Sequence, residues 1–324
     1  MPLDILTIGD CSIDEYMKVD EASVICDIDH KNCKICFNYA DKIPVEEFHS
    51  FVAGNACNTA VSFTAQGLNA AVYTELGDDP NSEKFLQTFK DLGISTEFCR
   101  KNKDEETDVH TVIIYKGERT ILSYHNVKKY KLLNWPKPNW IYYTSLSKGF
   151  ETFQADLVTY LKENPEILVA FNPGTFQFKA GVESLLDIMK VTDVLFVNKE
   201  EAQELTNLNT NEIIKLHKAL QKLGCKMTVI TDGKNGASAH DGNNEFTKGI
   251  IKTKVIDKTG AGDAFAAGFI SAMYYGKNVQ EALKWGAINA AGVVTRVGAV
   301  RGVKTQKDIA NVLKSNPEFS NYSM

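Results

Sequence analysis

The stretch DKTGAGD, residues 257–263, runs directly into AFAAGFISAMYYG at 264–276. A turn with two glycines opening an apolar helix lets consecutive backbone N–H groups converge, and the helix dipole adds positive potential at the same point. Such a site holds an anion. Asp263 falls in the first helical turn, where its carboxylate, ionised at neutral pH, faces the same space and can accept a hydroxyl proton. Donors fixed by Gly260, Ala261 and Gly262, with a carboxylate beside them, are the two parts that phosphoryl transfer requires. An aspartate at a helix start is by itself an ordinary cap. The full run Thr-Gly-Ala-Gly-Asp is too specific for that reading, so Asp263 is the expected base and the Gly260–Gly262 backbone the expected anion hole.

Outward from this run, short β-branched or aromatic segments recur: ILTIGD (5–10), AVYTELGDD (71–79), WIYYTSL (140–146), ILVAFNPG (167–174), DVLFVNK (193–199) and KMTVITDG (226–233). Amphipathic stretches at about 55–67, 81–92, 151–164, 178–190, 199–206, 210–223, 262–275, 279–296 and 305–315 alternate with them. Alternating strands and helices predict an α/β fold in three layers, a mostly parallel sheet with helices on both faces. Two segments break the rhythm. Residues 15–50 lack a helical period, and DVHTVIIYKGERTILSYH (108–125) reads as two strands joined at Lys116, Gly117 and Glu118. Both are assigned to a small β lid, with 1–14, 51–107 and 126–324 as the body.

The chain has 324 residues, with 36 Lys and Arg against 41 Asp and Glu, mixed along its length. That balance argues against a nucleic-acid partner. The first residues, MPLDILTIGD, lack a basic start followed by an apolar run, and no apolar stretch is long enough to span a bilayer; the expectation is a soluble, cytoplasmic protein without a membrane partner. Seven scattered cysteines read as reduced thiols. Within them, Cys26, His30, Cys33 and Cys36 carry a spacing that suits a tetrahedral zinc site, although cysteine also serves as a small apolar side chain. Walker-type and dinucleotide-binding glycine motifs are missing, which disfavours P-loop hydrolysis and a dehydrogenase. A non-catalytic binding protein of the same fold has no need of the base that Asp263 supplies.

The 257–263 run resembles the second motif of the ribokinase-like, or PfkB-type, carbohydrate kinases, and further segments match in order. They are Gly9, Asp10 and Asp14 after the first strand; Ala53, Gly54, Asn55 and Asn58 entering a helix; Asn198 and Glu201 in NKEEA; Thr231, Asp232, Gly233 and Gly236; and AINAAGVVTRVGA at 287–299. The resemblance implies a ribokinase-like fold and transfer of the ATP γ-phosphate to a small ribose- or fructose-like sugar. Nucleoside and sugar-phosphate acceptors stay open as alternatives. By resemblance, Asp14, Gly54, Asn55 and Asn58 take the acceptor, whereas Asn198, Glu201, Thr231, Gly233, Gly236, Thr259 and Asn289 take the nucleotide. Glu201 is implied in holding Mg2+ through water, and Asp257 in holding K+ with carbonyls of 296–301, as in potassium-dependent relatives. Ala53 departs from the family's glycine, which puts the shape of the sugar pocket in question. A phosphorylated acceptor would need cations, for which Lys116, Arg119, Lys128 and Lys129 are candidates. A nucleoside would need an aromatic slot, from Tyr39, Phe51, Tyr124 or Tyr143. A homodimer through the lid is a further implied partner.

Overall fold

The computed structural model describes residues 2–27 and 32–320. The strands, in chain order, are β1 (Ile5–Ile8), β2 (Ser12–Lys18), β3 (Ser23–Cys26), β4 (Cys33–Cys36), β5 (Glu47–Ala53), β6 (Ala70–Gly77), β7 (Ser95–Asn102) and β8 (Asp108–Tyr115). They continue as β9 (Glu118–Tyr124), β10 (Trp140–Tyr143), β11 (Leu168–Phe171), β12 (Val194–Asn198), β13 (Met227–Thr231), β14 (Ala237–His240) and β15 (Glu245–Lys248). The main sheet has the order β15-β14-β13-β12-β11-β10-β1-β6-β7, parallel from β7 to β13 and antiparallel over the last two pairings.

Alternation along each strand divides the core. Leu6, Ile8, Ile141, Tyr143, Val169, Phe171, Leu195 and Val197 point to one face, under the helices Phe150–Glu163 and Ile213–Lys222. Their neighbours Ile5, Trp140, Tyr142, Ala170, Val194 and Phe196 point to the other, under Ala261–Tyr274 and Val279–Val293. Residues buried on both faces are what a parallel sheet between helices demands, and they account for the near-continuous apolar runs in the sequence. The amphipathic stretch expected at 178–190 is broken into short pieces at Gly181, whose φ of +84° ends one turn before the next begins.

Residues of the two irregular segments form a second sheet of order β5-β2-β8-β9. The β8–β9 turn, Lys116 and Gly117, has both residues at positive φ (50° and 82°), as a tight two-residue hairpin requires. Register sets one face of this sheet: Asp14 lies between Phe51 and His110, Tyr16 beside Val112, Val112 beside Ile121, and Ile114 beside Arg119. β3 and β4 pair separately as a two-stranded ribbon.

The ribbon corrects the cysteine assignment. Cys26 and Cys33 stand directly opposite each other and are joined in a disulfide, so these two are not reduced thiols. Neither sulfur is then available as a zinc thiolate. Cys36, three residues along β4 from Cys33, falls on the opposite side of the strand, and His30 lies outside the described residues. Among the described residues no cluster of three or more metal-ligating side chains occurs. No described helix is long and apolar enough to cross a membrane.

Candidate active site

The C-terminal ends of β11, β12 and β13, the start of the helix Ala261–Tyr274 and the inner face of the second sheet enclose a cavity of about 350 Å³. Asp14, Gly54, Asn55, Asn58, Asn198, Glu201, Thr231, Thr259, Gly260, Ala261, Gly262 and Asp263 all line it. Residues from five segments of the sequence are thus brought to one crevice at the carboxyl edge of the sheet, where open α/β folds bind ligands.

Gly260 caps the helix at φ +74°; a Cβ there would meet the Cβ and carbonyl oxygen of Ala299 at 2.6 and 2.7 Å. Only glycine fits. Gly262 differs, because no atom lies within 4 Å of an added Cβ. Open space therefore fronts the helix N-terminus, where unpaired N–H groups and the dipole favour an anion.

Asp263 is buried, and its Oδ2 accepts from Asn58 Nδ2 at 2.8 Å. Burial pushes its carboxyl up to about 7; the Asn58 bond opposes the shift and the nearby Glu201 charge adds to it. The expectation of a fully ionised Asp263 at neutral pH is corrected accordingly: a carboxylate taken out of water and facing another carboxylate holds its proton more tightly. A pKa near neutrality suits a group that gains and loses a proton during turnover.

On the opposite wall Asp14 Oδ1 accepts from Ser12 Oγ at 3.1 Å and lies 3.1 Å from His110 Nδ1. Two polar atoms in this wall, Asn58 Oδ1 and His110 Nε2, are buried and have no hydrogen-bond partner among the described residues. Gly54, at φ +100°, brings its backbone against Asp10 and Cys11, where a Cβ would come within 2.5 Å of the Asp10 oxygen. Ala53 closes β5 opposite Ser12 and keeps a negative φ, so the departure from glycine introduces no strain.

Asn198 and Glu201 form a reciprocal cap: Asn198 Oδ1 accepts from the Glu201 N–H and Glu201 Oε2 from the Asn198 N–H, both at 2.8 Å. Burial, reinforced by the neighbouring Glu200 and Glu204, raises the Glu201 carboxyl. Thr231 lies beside Asn198 at the end of β13.

Four expected residues sit elsewhere. Gly233 (φ +49°) and Gly236 (φ +94°) shape the β13–β14 turn and do not line the cavity. Asn289 is fully buried; its amide donates to the Ala264 carbonyl at 2.7 Å and accepts from the Lys304 N–H at 2.8 Å, so it locks two helices and a loop and offers nothing to a nucleotide. Asp257 lies behind the loop. Its Oδ1 accepts from Arg119 at 2.5 Å, the Thr259 N–H at 2.9 Å and the Thr259 hydroxyl at 2.6 Å, and its Oδ2 accepts from the Gly298 N–H at 3.0 Å. Both oxygens are engaged and the charge is balanced by Arg119, so the carboxylate is not an open seat for a monovalent cation.

Sequence reasoning missed Asn172 and His110 as lining residues; Arg119, one of the four candidate cations, does line the cavity. Asn172 follows β11 at the same sheet edge as Asn198, and its Nδ2 donates to the Phe196 carbonyl at 2.9 Å. Position after a strand was the available signal. The proposed aromatic slot is not formed: Tyr143 is buried against Phe171, Tyr39 is fully exposed, Tyr124 donates to Glu106, and Phe51 packs on Tyr16 and His49 outside the cavity lining. Of the candidate cations, Lys128 is buried in an ion pair with Asp108, and Lys116 lies over the Tyr115 ring.

A helix start that fronts open space beside a carboxylate, in a crevice of a mostly parallel sheet, is what a phosphotransferase with a hydroxyl acceptor requires. The family model for pfkB family carbohydrate kinases matches residues 11–306, and the chain belongs to that family. It is similar to a nucleoside kinase of Methanocaldococcus jannaschii, 28% identical over 277 residues that cover 85% of this chain and 89% of the relative. An ATP-dependent 6-phosphofructokinase of Thermoanaerobacterium thermosaccharolyticum is 22% identical over 313 residues, 92% of this chain and 89% of the other. The structure of Arabidopsis thaliana ribokinase complexed with ribose and ATP superposes with a TM-score of 0.80, at 20% identity, over 97% of this chain and 99% of that one.

Proposed function

We propose that this kinase transfers the γ-phosphate of ATP to a hydroxyl of a small neutral sugar, with Asp263 as base and the backbone at Gly260, Ala261 and Gly262 as anion hole. The observation that carries the reading is the joint placement of Asp263 and Asn58. Asn58 holds the carboxylate with its amide nitrogen and leaves its oxygen free. A hydroxyl bound between Asn58 Oδ1 and Asp263 would sit beside the open space in front of Gly262, ready for in-line attack. Asp14 and His110 supply further polar atoms for the remaining hydroxyls.

Glu201, capped against Asn198, presents a carboxylate that suits Mg2+ held largely through its waters. When bound with ATP, the ion supplies charge neutralisation across the phosphates. A sugar rather than a nucleoside or sugar phosphate is favoured because none of the four expected aromatic residues lines the cavity and because Arg119, the one candidate cation of the hairpin that does, is committed to Asp257 and Thr259. The second sheet would act as a lid that excludes water as a rival acceptor. A second copy of the chain would cover its outer face, where Leu122 and Tyr124 are exposed. ATP as donor fits a cytoplasmic setting.

The test is an ATP-consumption screen over pentoses, hexoses, sugar phosphates and nucleosides, with the highest kcat/KM expected for a neutral pentose or hexose. A nucleoside or a sugar phosphate at the top of the screen would overturn the acceptor assignment and leave the kinase standing. With the acceptor so found, Asp14→Ala should raise its KM by about tenfold or more and leave KM for ATP within about twofold, since only hydroxyl contacts are removed. Steady-state kinetics with each substrate varied decides this; the reverse pattern would place Asp14 on the nucleotide side.

A further inference from the structure

We propose that Arg119 is a positioning residue of the phosphate loop: from the second sheet its guanidinium supplies that loop's fixed counter-charge, which couples the seating of the β8–β9 hairpin to the shape of the donor site. β9 is an edge strand, exposed along its whole length and paired only with β8. Such a strand needs an anchor to keep one position over the body. Arg119 provides it by donating to Asp257 Oδ1 and to the Thr259 hydroxyl.

The far side of this contact is the anion-binding loop itself. Asp257 accepts from the backbone of Thr259, next to Gly260, and from the backbone of Gly298. Gly298 lies against the Phe51 ring of β5, and the Arg301 guanidinium sits 5.5 Å from the centroid of that ring. Gly260 in turn backs onto Ala299. Residues 257–260 are thus gripped by the second sheet at two points, by β9 through Arg119 and by β5 through residues 298–301.

Lifting the hairpin would leave the Asp257 side chain, only 8% exposed, without its cation. Removing one partner of a largely buried pair strands the other charge, which is the expensive way to break it. The hairpin and the loop therefore prefer to be in place together. Ile121 and His110, on the cavity face of the same hairpin, would be pressed into position by an acceptor. Arginine keeps its charge at any working pH, so the loop carries a resident cation.

The geometry stands without the kinase reading, and the experiment separates the two. Amide hydrogen exchange on the full chain without ligand compares the parent protein with Arg119→Ala, Arg119→Lys and Arg119→Gln, and calorimetry measures binding of a non-hydrolysable ATP analogue with magnesium. Arg119→Ala should speed exchange both at 118–124 and at 257–263 and weaken analogue binding by about tenfold, the usual scale of a lost charge-assisted pair. Arg119→Lys should recover most of both effects, Arg119→Gln should not, and millimolar guanidinium or potassium should restore part of the Arg119→Ala affinity. Faster exchange confined to the hairpin, or Arg119→Gln behaving as the parent, would overturn the coupling. If the parent failed to bind the analogue, the kinase reading would fall, and the exchange pattern would still decide the coupling.

Discussion

Asp263→Asn is expected to lower kcat by about 10²-fold or more, to leave binding of magnesium and ATP within a few-fold, and to raise the melting temperature at pH 8. The first effect follows because asparagine keeps the size of the side chain but cannot take the acceptor's proton. The last follows from burial. The folded carboxyl titrates at about 7 and its ordinary value is 3.8. A group whose pKa is raised by folding favours the fold fully below the unfolded value, and that contribution is lost as pH climbs from about 4 through about 7. At pH 8 the parent therefore carries a buried charge that the amide lacks, a difference on the order of a few kcal/mol. Calorimetric melts at pH 5 and pH 8 should show the variant gaining on the parent much more at the higher pH. Turnover within a few-fold of the parent would rule out Asp263 as base, whatever the melts show.

As the proposed base, the same carboxyl should set the acid limb of the rate. Activity should rise with pH through about 7 in the substrate-free limit, since only the ionised form accepts a proton. Bound magnesium nearby favours the ionised form, so the limb of kcat should lie at lower pH than that of kcat/KM.

Much of this site was legible because its chemistry is local. The 257–263 run contains the turn, the helix start and the carboxylate in seven consecutive residues, and the asparagine-to-glutamate spacing at 198–201 is itself a helix cap. Short apolar runs bounded by turn residues likewise revealed the sheet, because strands buried on both faces are apolar almost throughout. What escaped depends on register and helix rotation. Arg119 reads as one cation among several in a hairpin until the Lys116–Gly117 turn pairs it with Ile114 and puts it on the face of Ile121 and His110. Cys26 and Cys33 read as loose thiols until β3 and β4 set them opposite each other. Asn289 lies on a helix rich in small residues, where the sequence does not say which face meets the neighbouring helix and which the cleft. Gly233 and Gly236 take positive φ values in the β13–β14 turn, a freedom that serves a tight turn and a close backbone approach to phosphates alike.

The two glycines of the proposed anion site should separate structure from chemistry. Gly262→Val puts a side chain into space that is empty within 4 Å of its Cβ, inside the first turn of a helix that tolerates valine better than glycine. The fold should not suffer, and the melting temperature should hold. The added methyls would occupy the place where phosphate oxygens meet the backbone N–H groups, so ATP affinity and kcat should both fall, kcat by about 10²-fold, the scale seen when transition-state charge loses its fixed donors. Gly260→Ala acts in the opposite order. Its Cβ would meet Ala299 at 2.6 Å, in a backbone conformation that costs an L-residue roughly 1–2 kcal/mol before any clash. That variant should melt several degrees lower and lose activity because the loop shifts. Paired melts and ATP titrations of the two proteins separate these outcomes: if Gly262→Val bound ATP and turned over like the parent, the anion hole would not lie at this helix start.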